Sequence, residues 1–262
     1  MRLKPLEILL GTVLLDANRW KREQPPALEL SAWLPRIEAA GFDGLELWER
    51  HALHVPASTL AALADSPLKV KVLNSYAAMD AAGATDREAS AELARRLGVG
   101  AVKFNVGPAG SDAGVQLRIA EDWAASMPGV QLLCECHAGT ALEKPETAAK
   151  ALEPFPGIGV IIHPFNEEDL ASWLRVLGGR IHHAHVQVVD SAWQRWRLKD
   201  RPQWSLKRFS ELASIRNQLS YTIEFTKGVA TPDENPDSLL RAAVEDMQWL
   251  REHLRLSADE PS

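Results

Sequence analysis

Short apolar runs alternate with longer amphipathic stretches along almost the whole chain. Runs that are mostly apolar and bounded by glycine, proline or polar residues predict strands at 6–15, 44–48, 69–74, 101–106, 130–137, 158–163, 181–188 and 219–225. Apolar residues at three- and four-residue spacing predict helices at 30–40, 87–97, 115–127, 145–152, 166–177, 205–217 and 237–254. Gly41, Gly98, Gly100, Gly129, Gly157 and Gly178 stand where helices stop or strands restart, and Thr85-Asp86-Arg87-Glu88 reads as a capping sequence. A strand followed by a helix, repeated eight times in this length, predicts an α/β fold of the (β/α)₈ TIM-barrel type. An open doubly wound sheet would need a glycine-rich phosphate turn, and no G-x-G-x-x-G occurs. One domain is expected over 1–255, with a frayed tail at 256–262.

Composition narrows the function. The net charge is −6 and no Lys/Arg stripe is present, which argues against nucleic acid as a partner. No apolar run approaches the roughly 20 residues of a membrane span, so no membrane partner is expected. Pro5 and Glu7 interrupt the apolar start, which reads as a buried first strand and not a secretory signal. Cys134 and Cys136, one residue apart, are poorly placed to pair, and a reducing cytoplasm is the expected compartment.

In a barrel of this kind, chemistry collects at the C-terminal ends of the strands. The fifth strand ends in Glu135-Cys136-His137, and alternation puts Glu135 and His137 on one face and both cysteines on the other. The sixth delivers His163. The seventh carries His183 and His185 on one face and His182 on the other, and the eighth ends on Glu224. Five of the eight histidines fall in three strands. A carboxylate and imidazoles in apolar strands are costly to bury unpaired, and the ordered set Glu135, His163, His185 and Glu224 reads as four ligands of one divalent metal.

These residues, with Gly41-Phe42-Asp43-Gly44-Leu45-Glu46-Leu47-Trp48 on the second strand, make the chain resemble the xylose-isomerase-like TIM-barrel superfamily of sugar isomerases and epimerases, which also contains endonuclease IV. The likeness spans most of the chain. It implies a metal held by strand-five Glu, strand-six Asp, strand-seven His and strand-eight Glu. Glu135, His185 and Glu224 match, and Glu135-Cys136-His137 resembles the common Glu-x-His. His163 departs from the pattern, standing where Asp is usual, with Asn166 three residues later. Imidazole in place of carboxylate lowers the ligand charge from −3 to −2 and makes the site nitrogen-richer. That favours Mn²⁺, the first choice, with Zn²⁺, Co²⁺ or Fe²⁺ as alternatives and Mg²⁺ less suited.

The resemblance further implies a small carbohydrate-like substrate whose oxygens chelate the metal. Proton transfer through an enediolate would be catalysed by Glu135 and Glu224. Isomerisation, epimerisation and dehydration all remain open, the last on a cyclic polyol or keto-acid. A non-catalytic binding barrel is the alternative from another class. The absence of histidine from strands three and four argues against the three-metal arrangement of endonuclease IV. Further candidates are His137 and Lys103 as catalytic groups, and Glu46, Trp48, Asn166 and Arg195 as substrate contacts. Each has a structural counterpart: support for Glu135, a snorkelling lysine, a packed mouth residue. His183 is expected to pack under His185, and His51 and His54 to be surface residues. The segment after strand seven holds Trp193, Trp196 and Trp204 beside Arg195, Arg197, Lys199 and Arg201. It suits a sugar face, its own packing, or a second copy in a homodimer.

Overall fold

The computed structural model describes residues 7–21, 23–53, 55–166 and 169–256. Eight parallel strands close a barrel in sequence order: β1 (Ile8–Gly11), β2 (Gly44–Trp48), β3 (Val70–Asn74), β4 (Ala101–Phe104), β5 (Gln131–Glu135), β6 (Gly159–Ile162), β7 (Ile181–Val186) and β8 (Ser220–Ile223), which returns to β1. Helices α1 (Leu30–Ala40), α2 (Ala57–Asp65), α3 (Ala84–Leu97), α4 (Ala113–Ala125), α5 (Pro145–Leu152), α6 (Leu170–Leu177), α7 (Pro202–Glu211) and α8 (Pro236–Leu256) follow the strands. Among the described residues, no helix is long and apolar enough to cross a membrane.

Alternation along the strands sorts side chains between two cores. Leu9, Val72, Ala101, Leu133 and Ile161 form a dry layer inside the barrel. Their neighbours Leu10, Leu73, Val102, Cys134 and Ile162 face outward into the larger core beneath the helices. Two residues further along the inward-facing rows, the filling changes from apolar to polar and charged: Asn74, Lys103, Glu135 and His163. Gly11 belongs to this upper level. A Cβ there would stand 3.1 Å from Thr222 Cγ2 and 3.4 Å from the Glu224 Cα, so a larger residue would press β1 away from the end of β8 by a few tenths of an ångström.

Several expectations are corrected. The apolar run 6–15 is strand only over Ile8–Gly11; Thr12–Leu15 turns into a 3₁₀ helix. The turn frees Thr12 Oγ1 to accept a hydrogen bond from the Trp48 backbone at 2.9 Å. Helix α3 starts at Ala84, without a side-chain cap, so the sequence at Thr85 does not form the expected box. Its far end behaves as expected, with Gly98 in the left-handed region at φ +63°. Helix α2 had no counterpart among the helices read from periodicity. His51 is buried, not a surface residue: Nε2 lies 2.9 Å from Asp16 Oδ2 and Nδ1 lies 3.0 Å from Thr12 Oγ1. Burial would raise the Asp16 carboxyl, but bonds from His51 and the backbone outweigh it and hold the group down at about 2. His54 and the tail beyond residue 256 lie outside the described residues.

The segment after β7 folds into a two-stranded antiparallel ribbon, Val188–Val189 against Arg195–Trp196. Helix α8 ties this segment to the loop after β8 through Asp246, which accepts from the Leu198 backbone at 2.7 Å and from Thr226 Oγ1 at 2.6 Å. Burial pushes that carboxyl up to about 7. Both loops that border Glu224 are therefore anchored to one helix.

Candidate metal centre

Glu135, His163, His185 and Glu224 come together at the C-terminal mouth of the barrel. Each offers a ligand atom, and these four atoms all lie within 4.8 Å of one another. Atoms bonded to one ion at roughly 2.1 Å lie within roughly 4.2 Å of each other, so shifts of a few tenths of an ångström would let this set close on a cation. Glu135 and Glu224 are each 4% exposed and His185 is fully buried.

The hydrogen bonds show how each group is aimed. Glu135 Oε1 lies 2.9 Å from His163 Nε2 and 2.8 Å from His185 Nδ1. Its other oxygen accepts from Lys103 Nζ at 2.7 Å and from Asn105 Nδ2 at 2.8 Å. Burial alone would raise the Glu135 carboxyl; Lys103 and the two histidines outweigh it and hold the group well below the ordinary range. His185 Nδ1 is also 3.4 Å from Glu224 Oε1, while its Nε2 donates to Glu46 Oε2 at 3.0 Å. Burial disfavours a charged His185 ring, yet Glu224, Glu46 and Glu135 together hold its pKa well above the usual 6.5. The field that draws a proton to this ring equally favours a cation at Nδ1.

Charge balance gives a second test of fit. Glu46, Glu135 and Glu224 place three carboxylates in this buried region against the single ammonium of Lys103. That leaves two negative charges where uncompensated charge is expensive. A divalent ion would offset that enclosed charge with His163 and His185 neutral. The donor set thus could hold a metal.

The other candidates fall into different places. Glu46 is corrected from a mouth residue to a buried support. It is 1% exposed, and its two oxygens accept from Asn74 Nδ2 at 3.0 Å, Thr222 Oγ1 at 2.9 Å, and His183 and His185. His183 packs under His185 with ring centroids 5.5 Å apart, and burial pushes its pKa down. Trp48 is buried at 2% exposure against His51 and offers no open face to a substrate. Lys103 is likewise enclosed, between Glu135, Asn105 and the Tyr76 ring at 4.3 Å, so it positions Glu135 and does not reach the mouth. Asn166 accepts from the Val189 backbone at 3.0 Å and pins the ribbon after β7; it does not join the cluster. His137 stands at the mouth, over a third exposed, with Nδ1 donating to the Ala138 carbonyl and Nε2 3.2 Å from Asn105 Nδ2. Arg195 packs on the residue after Glu224, its guanidinium 5.3 Å from the Phe225 ring centroid.

Two neighbours of the cluster escaped the sequence reading. Gln187 Nε2 donates to Glu224 Oε2 at 3.0 Å and lies 3.3 Å from His163 Nδ1, bridging two of the four groups. Tyr76, half exposed, caps Lys103 from the mouth side. Both lie two residues beyond an inward-facing position, His185 and Asn74, and strict alternation would have flagged them.

No protein-family model matches the chain, and no curated protein does. Solved structures do. The IolI protein, with a bound zinc atom, is 15% identical with a TM-score of 0.68, covering 95% of this chain and 99% of that one. The probable 3-DHS dehydratase AsbF from Bacillus anthracis is 16% identical with a TM-score of 0.66, covering 94% and 99%. The 3-keto-D-glucoside 4-epimerase YcjR from E. coli is 15% identical with a TM-score of 0.63, covering 94% and 99%. The fold is that of the xylose-isomerase-like TIM barrels. At these identities the likeness is one of fold, and structures of this kind include isomerases, epimerases and dehydratases.

Proposed function

We propose that the chain is a divalent-metal-dependent isomerase or epimerase of a small sugar or keto-polyol, moving a proton at a carbon beside a carbonyl. The observation that carries this reading is the convergence of Glu135, His163, His185 and Glu224 within 4.8 Å at the barrel mouth. These four would hold the ion, with Mn²⁺ the first choice. When bound, a divalent cation supplies a Lewis acid that polarises a carbonyl.

The chain's own groups divide the remaining tasks. Glu135 acts as a ligand and not as a proton carrier, because Lys103 and Asn105 occupy Oε2 and both histidines surround Oε1. Glu224 is less encumbered, with Gln187 at Oε2 and His185 no closer than 3.4 Å to Oε1, and it serves as the base. His137, open to the mouth, is the second proton carrier. Glu224 alone would give isomerisation, and Glu224 with His137 on the opposite face would give epimerisation. The mixed donor set, with two imidazoles, suits Mn²⁺, Zn²⁺, Co²⁺ or Fe²⁺ better than Mg²⁺.

Glu46 fixes the His185 tautomer: with Nε2–H directed at its carboxylate, the Nδ1 lone pair points into the cluster. Glu46→Gln is expected to weaken Mn²⁺ binding about 10- to 100-fold by titration calorimetry. Unchanged affinity would reduce Glu46 to core packing.

The reading as a whole is tested on the purified full chain. Elemental analysis is expected to find a divalent metal bound. Incubation with a panel of ketoses in D₂O is expected to show metal-dependent deuterium incorporation next to the carbonyl by NMR. A chain that neither retains nor binds a divalent metal, and exchanges no proton, is not this enzyme.

A further inference from the structure

The ribbon and turn after β7 carry four cations, and three of them are paired. Arg197 bonds to Glu245 at 2.6 Å and to Asp200, Lys199 to Glu245 at 3.1 Å, and Arg201 to Asp190 at 3.3 Å. Arg195 differs. Among the described residues no carboxylate pairs with its guanidinium, and its Nε is buried without any hydrogen-bond partner. The group packs against a pair of touching aromatic rings, 5.3 Å from the Phe225 centroid and 5.5 Å from that of Trp20, the two centroids being 6.0 Å apart. Phe225 directly follows Glu224, and the Glu224 carboxylate is among the charges that act on this cation. The nearby Arg19 is already satisfied by Glu234 at 2.6 Å and by the carbonyls of Val13 and Leu14.

A half-buried guanidinium held on ring faces keeps its charge because it is weakly hydrated and stacks well. Left unpaired, it still forfeits the charge-assisted bonds that its planar fork makes best to a carboxylate or phosphate. The two terminal nitrogens are the part of the fork that solvent reaches, since only Nε is both buried and unpartnered. Burial lowers the Arg195 pKa and Glu224 opposes that shift, consistent with a cation facing the mouth.

We propose that Arg195 anchors an anionic group of the substrate, so that the molecule taken by this mouth is a polyhydroxy carbonyl compound bearing a carboxylate or a phosphate, not a neutral sugar. The proposal rests on the metal-centre reading for where the reactive carbonyl sits. The anion is held on the Glu224 side, with the flat face of the molecule against Trp20, a residue 56% exposed. Arg195 then sets which carbon is presented to Glu224.

Titration calorimetry on the full chain tests this with matched probes: quinate against its neutral methyl ester for a carboxylate, and inositol monophosphate against myo-inositol for a phosphate. One charged member is expected to bind about tenfold or more tightly than its neutral partner, and which pair shows the gap names the anion. Arg195→Met, which keeps the stem packed on the rings, is expected to remove the gap while its melting temperature and Mn²⁺ binding stay unchanged. Equal affinity within both pairs, no binding of either charged probe at millimolar concentration, or a gap that survives Arg195→Met would each overturn the proposal. Each titration is run with and without Mn²⁺. A gap lost with Arg195→Met in metal-free protein upholds the anion subsite even if the metal reading fails. Protein that binds Mn²⁺ but shows no gap loses only the subsite.

Discussion

Replacing Glu224 by glutamine is expected to lower turnover by about 10³-fold while the barrel stays folded. The substitution keeps the shape of the side chain and its acceptor for Gln187 Nε2, but removes the charge that faces His185 Nδ1. Stability should move by less than about 1 kcal/mol, because the change removes one of three carboxylates crowded into a buried region and opens no cavity. Assays at increasing Mn²⁺ separate the two roles assigned to this residue. A ligand that is not the base would give activity that returns as the metal saturates; a base gives activity that stays low with the metal bound. Turnover within tenfold of the parent at all metal concentrations would remove Glu224 from the chemistry.

How far the chain could be read in advance depends on which physical rule governs each feature. Side-chain alternation has a fixed period, so the inward set Glu135/His137 and His183/His185 was legible as faces, and the outward placement of Cys134 and Cys136 followed with it. Strand ends collect at one rim, so four ligands on consecutive strands could be expected to meet.

Depth inside the barrel was not legible, because it depends on the stagger between neighbouring strands. Glu46 pairs with Val72 and His183 with Ile161, and both partners belong to the apolar layer inside the barrel. That register buries both beside His185, at 1% and 0% exposure. Lys103 pairs with Leu133, one step below Glu135, which is why its long stem rises to the Glu135 carboxylate and stops there. Local turns were lost for a different reason. An apolar run such as 12–15 satisfies a strand and a 3₁₀ turn equally, and the deciding hydrogen bond, Trp48 N–H to Thr12 Oγ1, comes from a residue 36 positions away.

Lys103→Met is expected to produce the largest loss of stability. The lysine is 1% exposed, and its ammonium sits 2.7 Å from Glu135 Oε2 and 2.8 Å from Asn105 Oδ1. Methionine fills much the same volume, so the packing against Tyr76 survives and the effect isolates charge. Without the ammonium, the Glu135 carboxylate is left buried beside Glu224 and Glu46 with no cation but a protonated histidine. Breaking a buried pair on one side typically costs about 3–5 kcal/mol, a large share of the roughly 5–15 kcal/mol that holds a domain folded. At about 2–4 °C per kcal/mol for a chain of this size, metal-free Lys103→Met should melt on the order of 10 °C below the parent. A divalent cation acts on the same imbalance from the other side of Glu135. Saturating Mn²⁺ should therefore raise the melting temperature of the variant by more than it raises the parent's, because ligand binding to the folded state alone adds stability in proportion to how favourable that binding is. Equal melting temperatures without metal, or an equal rise with Mn²⁺ in both proteins, would mean that Lys103 neutralises nothing at Glu135 and that the charge balance drawn around the four ligands is wrong.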